Sequence, residues 1–417
     1  MMRLVLLLVA LPILAFADAP ECIRIVNARA LLPTGFSDYV SIEIRGTTIT
    51  SVTEGRPAGG RCTILDVGGK PVTPGLIDPS SQVGLVEISG EGSLRDHESG
   101  PGKLRASFSA ADAYNPRSSL VALSRRAGIT SAILVPTSGA VSGVSAWVDL
   151  YGSTQAETIM GRSVAMHAAI SSGKKTSRAQ AIHRLRLALL EARRLESNRG
   201  RWDEGRSRPL LFNYIELDAL LPVLKREMPL AVQVDRASDI EAVLRLGAEF
   251  SLRLVIVGGA EAWLVAPLLA KAKAAVLLDP LVGGPRSFDQ RSARPDNAAL
   301  LHAAGVDVMM SAFWAHNART LTQVAGNAVR AGLPYEAALQ SLTSVPARVF
   351  GLKGRGTLTV GSRANLVVWT GDPLELSSHA SQVFIGGVSR PLETRQTRLL
   401  ERYRANPAAP VQMPPSP

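Results

Sequence analysis

Apolar and polar positions alternate in short β-type runs at both ends of the chain and change to a strand–helix rhythm between them. Ile23-Arg24-Ile25-Val26, Val40-Ser41-Ile42-Glu43-Ile44 and Thr48-Ile49-Thr50-Ser51-Val52 are rich in β-branched residues and are separated by Gly, Pro and Asp clusters. A second β-type block closes the chain at residues 356–358, 364–369 and 382–387. Neither block alone carries enough apolar residues for a stable sheet, so the two are expected to pack together. Between them, strand patterns at 72–77, 131–135, 230–234, 252–257, 275–278 and 306–310 alternate with helical periodicity at 118–127, 179–196, 238–250, 261–272 and 297–304. Two middle strands are weakly marked, and residues 164–169 are the candidate for one of them. Alternation over this length predicts an α/β protein built as a (β/α)8 TIM barrel, with a small β-sandwich made from both chain ends.

Composition narrows the picture. The 417 residues are 46% hydrophobic and 19% charged, which excludes a collagenous or disordered chain. Only the N-terminus has a long apolar run: a positive start at Met1-Met2-Arg3, an apolar stretch to Phe16, and a small-x-small Ala15-Phe16-Ala17. This is the layout of a secretory signal peptide at 1–17, and it predicts a periplasmic or secreted protein. Two cysteines exclude a Cys-rich zinc module. In an exported chain Cys22 and Cys62 either form a disulfide or remain two thiols. The net charge of +11 is compatible with anionic partners without establishing any.

Several motifs then agree. Val72-Thr73-Pro74-Gly75-Leu76-Ile77-Asp78 resembles the first barrel strand of the amidohydrolase superfamily, in its imidazolonepropionase-like branch. Residues 332–339 with Pro346-Ala347-Arg348 are similar to that family's helix after strand eight, and residues 356–368 to its returning β segment. The resemblance covers roughly residues 22 to 404. It implies a division into an N-terminal β-sandwich part (18–72), a barrel (73–353), a C-terminal sandwich part (354–395), and a basic helical turn with a Pro-rich disordered tail (396–417).

The same resemblance implies a divalent metal such as zinc at the barrel mouth, activating water for hydrolysis of a non-peptide C–N bond in a cyclic amide or similar small molecule. Its ligands are a His-x-His after strand one, a Lys or Glu at strand four, histidines at strands five and six, and an Asp at strand eight. Here the His-x-His place reads Ser80-Ser81-Gln82, Gln233 stands at strand five, strand six ends Val257-Gly258-Gly259, and strand eight ends in 310–314 without Asp. The six histidines are 97, 167, 183, 302, 316 and 379, with no two spaced as His-x-His. Hydroxyls and amides are weak ligands for zinc. No metal cofactor is therefore predicted.

The remaining candidates each carry a plainer alternative. His316 is a candidate general base, or a loop histidine bonding backbone; Asn317 beside it is a candidate substrate contact. Gln233 and Asp235 alternate on one strand and face one side, either to bind substrate or, for Asp235-Arg236, as a surface pair before a helix capped by Ser238. Ser80 and Gln82 are candidate substrate contacts, and Ser80 is a nucleophile only if a histidine approaches it. Glu87, Asp96 and His97 lie in a loop long enough to act as a lid, and as a carboxylate–histidine set they offer an unconventional metal site or a solvated loop. The basic run from Lys174 to Arg208 has Ile182, Leu185, Leu189 and Ala192 at helical spacing, as in an outer barrel helix with a charged face. Weak contact with anionic envelope components is an alternative for it. No aromatic platform for nucleic acid accompanies it. Three functions fit: an amidohydrolase-related hydrolase with a degenerate metal site, a pseudoenzyme binding a small molecule or a partner, or a basic cell-envelope protein.

Overall fold

The computed structural model describes residues 22–55, 61–100, 104–170, 177–206, 208–281 and 283–404. The leader reading at 1–17, the Lys174-Lys175 pair and the Pro-rich end lie outside the described residues. Both chain ends enter one eight-stranded sheet. Its order is Val388–Arg390, Ala380–Ile385, Leu366–Trp369, Pro71–Pro74, Cys22–Leu32, Gly35–Arg45 and Thr48–Glu54, with Thr63–Asp66 also pairing on Cys22–Leu32. The ends meet where Leu366 opposes Pro74 and Val368 opposes Val72 in an antiparallel ladder. Ile25, Ile42 and Ile49 from the first block pack with Leu366, Val368 and Phe384 from the last, so each block supplies apolar surface the other lacks. The 356–358 run forms no strand, although Leu358 is buried in that same core.

The predicted 72–77 strand is two strands. Pro71–Pro74 belongs to the terminal sheet, and Leu76–Ser81 starts the second half of the fold. Gly75 separates them at a point of close backbone approach, where a Cβ would lie 2.1 Å from Thr130 Oγ1.

Leu76–Ser81 runs parallel to Ile129–Leu134, and Met166–Ala169, Leu230–Val234, Leu254–Gly258, Ala275–Leu278 and Val308–Met310 form a second parallel series. The weakly marked middle is filled in part by an antiparallel strand. Val141–Val144 pairs with Met166–Ala169, and its continuation Ala146–Asp149 pairs with Ile129–Leu134. Ser145, between these two pieces, exchanges backbone hydrogen bonds with Val164 and Ala165 and so links the two series. On the other side, Ser311 Oγ donates to Asp78 Oδ1 at 2.7 Å and to the Ser80 carbonyl at 3.0 Å.

Alternate residues separate two cores. Ile77, Ile133, Ala231, Val255, Leu277 and Met309, drawn from both parallel series, pack with one another in one apolar cluster. Their neighbours Val232, Ile256 and Val276 pack outward against helices, including Arg178–Ser197 through Leu185 and Leu189 and Ala237–Phe250 through Ile240 and Val243. The basic helix follows the predicted pattern, and several cations of the basic run are engaged within the chain. Arg186 meets Glu249, Arg193 lies over the Phe250 ring, Arg194 and Arg208 share Glu191, and Arg199 pairs with Asp218.

Candidate functional site

A cavity of about 1030 Å³ opens at the C-terminal ends of the parallel strands. That end is where loops bring side chains together in this class of fold. Ser80 and Gln82 reach it from the end of Leu76–Ser81, and Gln233 and Asp235 from the end of Leu230–Val234. These four predicted residues share one wall system.

Gln233 is exposed to the cavity although its neighbours Val232 and Val234 are buried, as the two-residue period of a strand requires. Asp235 accepts from the Ala260 amide at 3.2 Å and from Gln290 Nε2 at 3.0 Å. It does not pair with Arg236, whose guanidinium instead meets Asp239. The surface-pair alternative therefore fails. The expected cap is also displaced: the helix begins at Ala237, with Arg236 as N-cap, rather than after Ser238. The Asp235 carboxylate lies against Gly258, where a Cβ would stand 2.6 Å from Asp235 Oδ1 and φ is +92°. A side chain at 258 would displace the carboxylate. Burial raises the Asp235 pKa above the usual carboxylate value. The hydrogen bonds from Gln290 and Ala260 oppose that rise, and the charges of Asp289 and Glu261 add to it.

Two sequence candidates lie elsewhere. His316 and Asn317 are exposed in the Ala315–Thr320 turn and are not part of the cavity wall. The chain leaves the strand at Phe313, in the left-handed region at φ +58°, so Phe313 and Trp314 face the cavity and the following turn is carried outward. In the lid loop, His97 and Glu98 reach the cavity, whereas Asp96 is exposed and Glu87 accepts from Asn115. A bridge between Glu98 and Thr137, with the Thr137 amide donating to the His97 carbonyl, fixes that loop.

The structure adds residues that sequence reasoning did not place. His167, on Met166–Ala169, lines the cavity at 7% exposure, and burial pushes its imidazole down to about 3, so it is neutral across the physiological range. Its Nε2 has no hydrogen-bond partner. The marginal strand pattern at 164–169 was the available signal. Asp279, Gln290 and Asn297 complete the wall beyond Asp235. Deeper, Asp78 is buried, and burial raises its pKa against the donors Ser311, Ser80 and Ser81.

Among the described residues, the His, Cys, Asp and Glu ligand atoms that converge as a group of three are those of Cys22, Glu43 and Cys62, in the terminal sheet. The two sulfurs are joined to each other as a disulfide, which removes the thiolates a metal would need. At the mouth, Ser80, Gln82 and Gln233 present a hydroxyl and two carboxamides, which are weak donors for zinc.

Comparison with known proteins supports the fold. The amidohydrolase family matches residues 226–389. A stretch of 75 residues is 39% identical to amidohydrolase tasK of Hapsidospora irregularis, covering 18% of this chain and only 8% of that much longer protein. An amidohydrolase structure from Thermotoga maritima MSB8 superposes with a TM-score of 0.80 at 23% identity, over 88% of this chain and 99% of that one. A β-aspartyl dipeptidase from Fervidobacterium islandicum AW-1 gives a TM-score of 0.56 at 14% identity, over 88% and 96% of the two chains. Residues 226–389 thus match the amidohydrolase family, and the chain has the α/β fold of the solved amidohydrolases.

Proposed function

We propose that this protein uses an amidohydrolase-type barrel to bind a small molecule at its mouth without the metal-activated water of that superfamily, so that the inherited hydrolysis of C–N bonds is lost. The observation that carries this reading is the arrangement of the wall. Ser80, Gln82 and Gln233 stand at the strand ends of a cavity large enough for a metabolite. The imidazoles and carboxylates of the same wall, His97, Glu98, His167, Asp235 and Asp279, do not converge as a group of three ligand atoms among the described residues. Elemental analysis of protein purified without chelator is expected to find far less than one equivalent of zinc, manganese or iron. Chelator is expected to leave the melting temperature unchanged. A stoichiometric metal whose removal destabilises the protein would overturn the reading.

Retained, metal-free hydrolysis is a second reading, and Asp235 favours it. A mostly buried carboxylate with a raised pKa at a cavity wall has the properties of a general base. Turnover of a bound lactam or amide that is lost in Asp235→Asn would select it over simple binding. We further infer export to an oxidising compartment, because the Cys22–Cys62 disulfide is of the kind that persists there. The mature chain is then expected to begin at Asp18, and N-terminal sequencing that finds Met1 would reject this.

A further inference from the structure

The charged groups that line the mouth are unevenly partnered. Arg95 pairs with Glu98 at 3.6 Å, and Arg294 is held by both Asp296 oxygens and lies 4.7 Å over the Trp263 ring. Arg184 also lines the cavity and is likewise engaged by a partner of its own. Asp235 and Asp279, in contrast, have no ion-pair partner among the described residues. Asp235 takes its hydrogen bonds from neutral donors only, and Asp279 accepts from the Leu281 amide. Asp289 and Glu261 add negative potential at Asp235, while Arg286 acts on Asp279 without touching it.

Two carboxamide acceptors and one unpartnered imidazole nitrogen stand in the same wall. His167 is 93% buried, faces the interior and has an unpartnered Nε2, as its 7% exposure records. Gln290 Oε1 and Asn297 Oδ1 are buried carboxamide oxygens without donors. Their NH2 groups are committed to Asp235 and to the Gly259 carbonyl, which fixes the oxygens as acceptors. Phe313 and Trp314 supply aromatic faces at the rim, with Trp314 60% exposed. Carboxylates lacking a counter-ion, carbonyl oxygens lacking donors and aromatic faces all favour a ligand bearing a protonated nitrogen.

Resting on the metal-free binding reading above, we propose that the mouth selects small organic amines in their ammonium form, with Asp235 as the direct acceptor and the Phe313–Trp314 edge covering the attached carbon skeleton. The replaced metal site would then have inverted its preference, from an anionic transition state to a cationic ligand.

The full-length mature protein can be titrated by calorimetry and thermal shift with a matched panel: primary and tertiary alkyl and benzyl amines, their N-acetyl derivatives, and the corresponding alcohols and carboxylates. Amines are expected to bind and raise the melting temperature at millimolar concentration, and the acetylated, hydroxyl and carboxylate counterparts are not. Asp235→Asn is expected to weaken amine binding at least tenfold with the free protein still folded, and Asp235→Glu to restore part of the preference. Trp314→Ala is expected to reduce affinity for benzyl amines more than for alkyl amines. Equal binding of neutral and cationic compounds, an Asp235→Asn variant that binds as before, or no amine-selective response at all would overturn the assignment. Binding of neutral or anionic compounds alone would refute amine selection while leaving the metal-free pocket standing; a stoichiometric metal would refute that pocket itself.

Discussion

His167 couples the site to pH through a single buried ring. Its folded pKa of about 3 lies below the 6.5 of a free histidine, because burial disfavours the imidazolium. Between those values the unfolded chain binds a proton that the folded one excludes, so stability falls as pH drops through that window. Each unit of difference corresponds to roughly 1.4 kcal/mol, and the whole contribution is at most several kcal/mol. Asp78 and Asp235 act in the other direction. Their folded pKa values are raised, so their contribution is fully present below the unfolded carboxylate value and is lost as pH rises through the folded one. Denaturant titrations from neutral pH down to about pH 3 are therefore expected to show a steep loss of stability below about pH 6.5. In His167→Gln that loss should be visibly shallower, because no proton is then taken up on unfolding at this position. An unchanged slope would show that the ring is solvated in solution.

At the scale of elements, the Cys22–Cys62 bond closes a separation of 40 residues and ties the start of the Cys22–Leu32 strand to the turn before Thr63–Asp66. Chain-entropy estimates for a loop of this size give roughly 4 kcal/mol. The double change Cys22→Ser with Cys62→Ser is expected to lose about 2–4 kcal/mol in denaturant unfolding, and reductant to reproduce the loss in the native chain. Insensitivity to reductant would place the bond outside the cooperative unit. Elements of this kind differ in how far sequence reveals them. Ala275–Leu278 was legible because an uninterrupted apolar run is what a doubly covered parallel strand needs, and Leu230–Val234 because only Gln233 interrupts such a run. Val141–Val144 and Ala146–Asp149 were not: Ser142, Gly143 and Ser145 break the run, and an antiparallel strand within a parallel series has no periodic marker. The same contrast holds at the site. Ser80, Gln82, Gln233 and Asp235 come to one cavity because they end strands whose direction the alternation fixes. His316 and Asn317 were misplaced because a backbone reversal at Phe313 decides where that loop goes. Gln290 and Asn297 join the wall from segments distant in sequence, with no local signal.

At the scale of the molecule, the parallel-strand half and the terminal sheet are joined by buried charge as well as by apolar contact. Asp149 ends the bent antiparallel strand. It accepts from Arg355 at 2.8 Å, Ser131 Oγ at 2.7 Å and Asn365 Nδ2 at 3.2 Å. Asn365 in turn accepts from the Gly386 amide, in the turn that joins the last two strands of the terminal sheet. Arg355 also lies 4.9 Å from the Trp147 ring centre, and burial lowers its pKa despite the Asp149 charge beside it. Asp149 and Arg355 have side chains only 3% and 4% exposed, so removing one strands the other in a low-dielectric setting. Asp149→Ala is accordingly expected to cost about 3–5 kcal/mol. Arg355→Met alone leaves Asp149 with Arg363 at 3.5 Å and neutral donors, and should cost less. The combined Asp149→Asn and Arg355→Met protein should recover most of the stability lost by Asp149→Ala, because neither buried charge remains. Its fluorescence and circular-dichroism unfolding curves should still coincide, showing that barrel and sheet unfold together. If the two signals separate, the charge network rather than the shared apolar surface makes the two halves one cooperative unit, and the mouth would have to be treated as a site on a barrel that can open independently of the sheet.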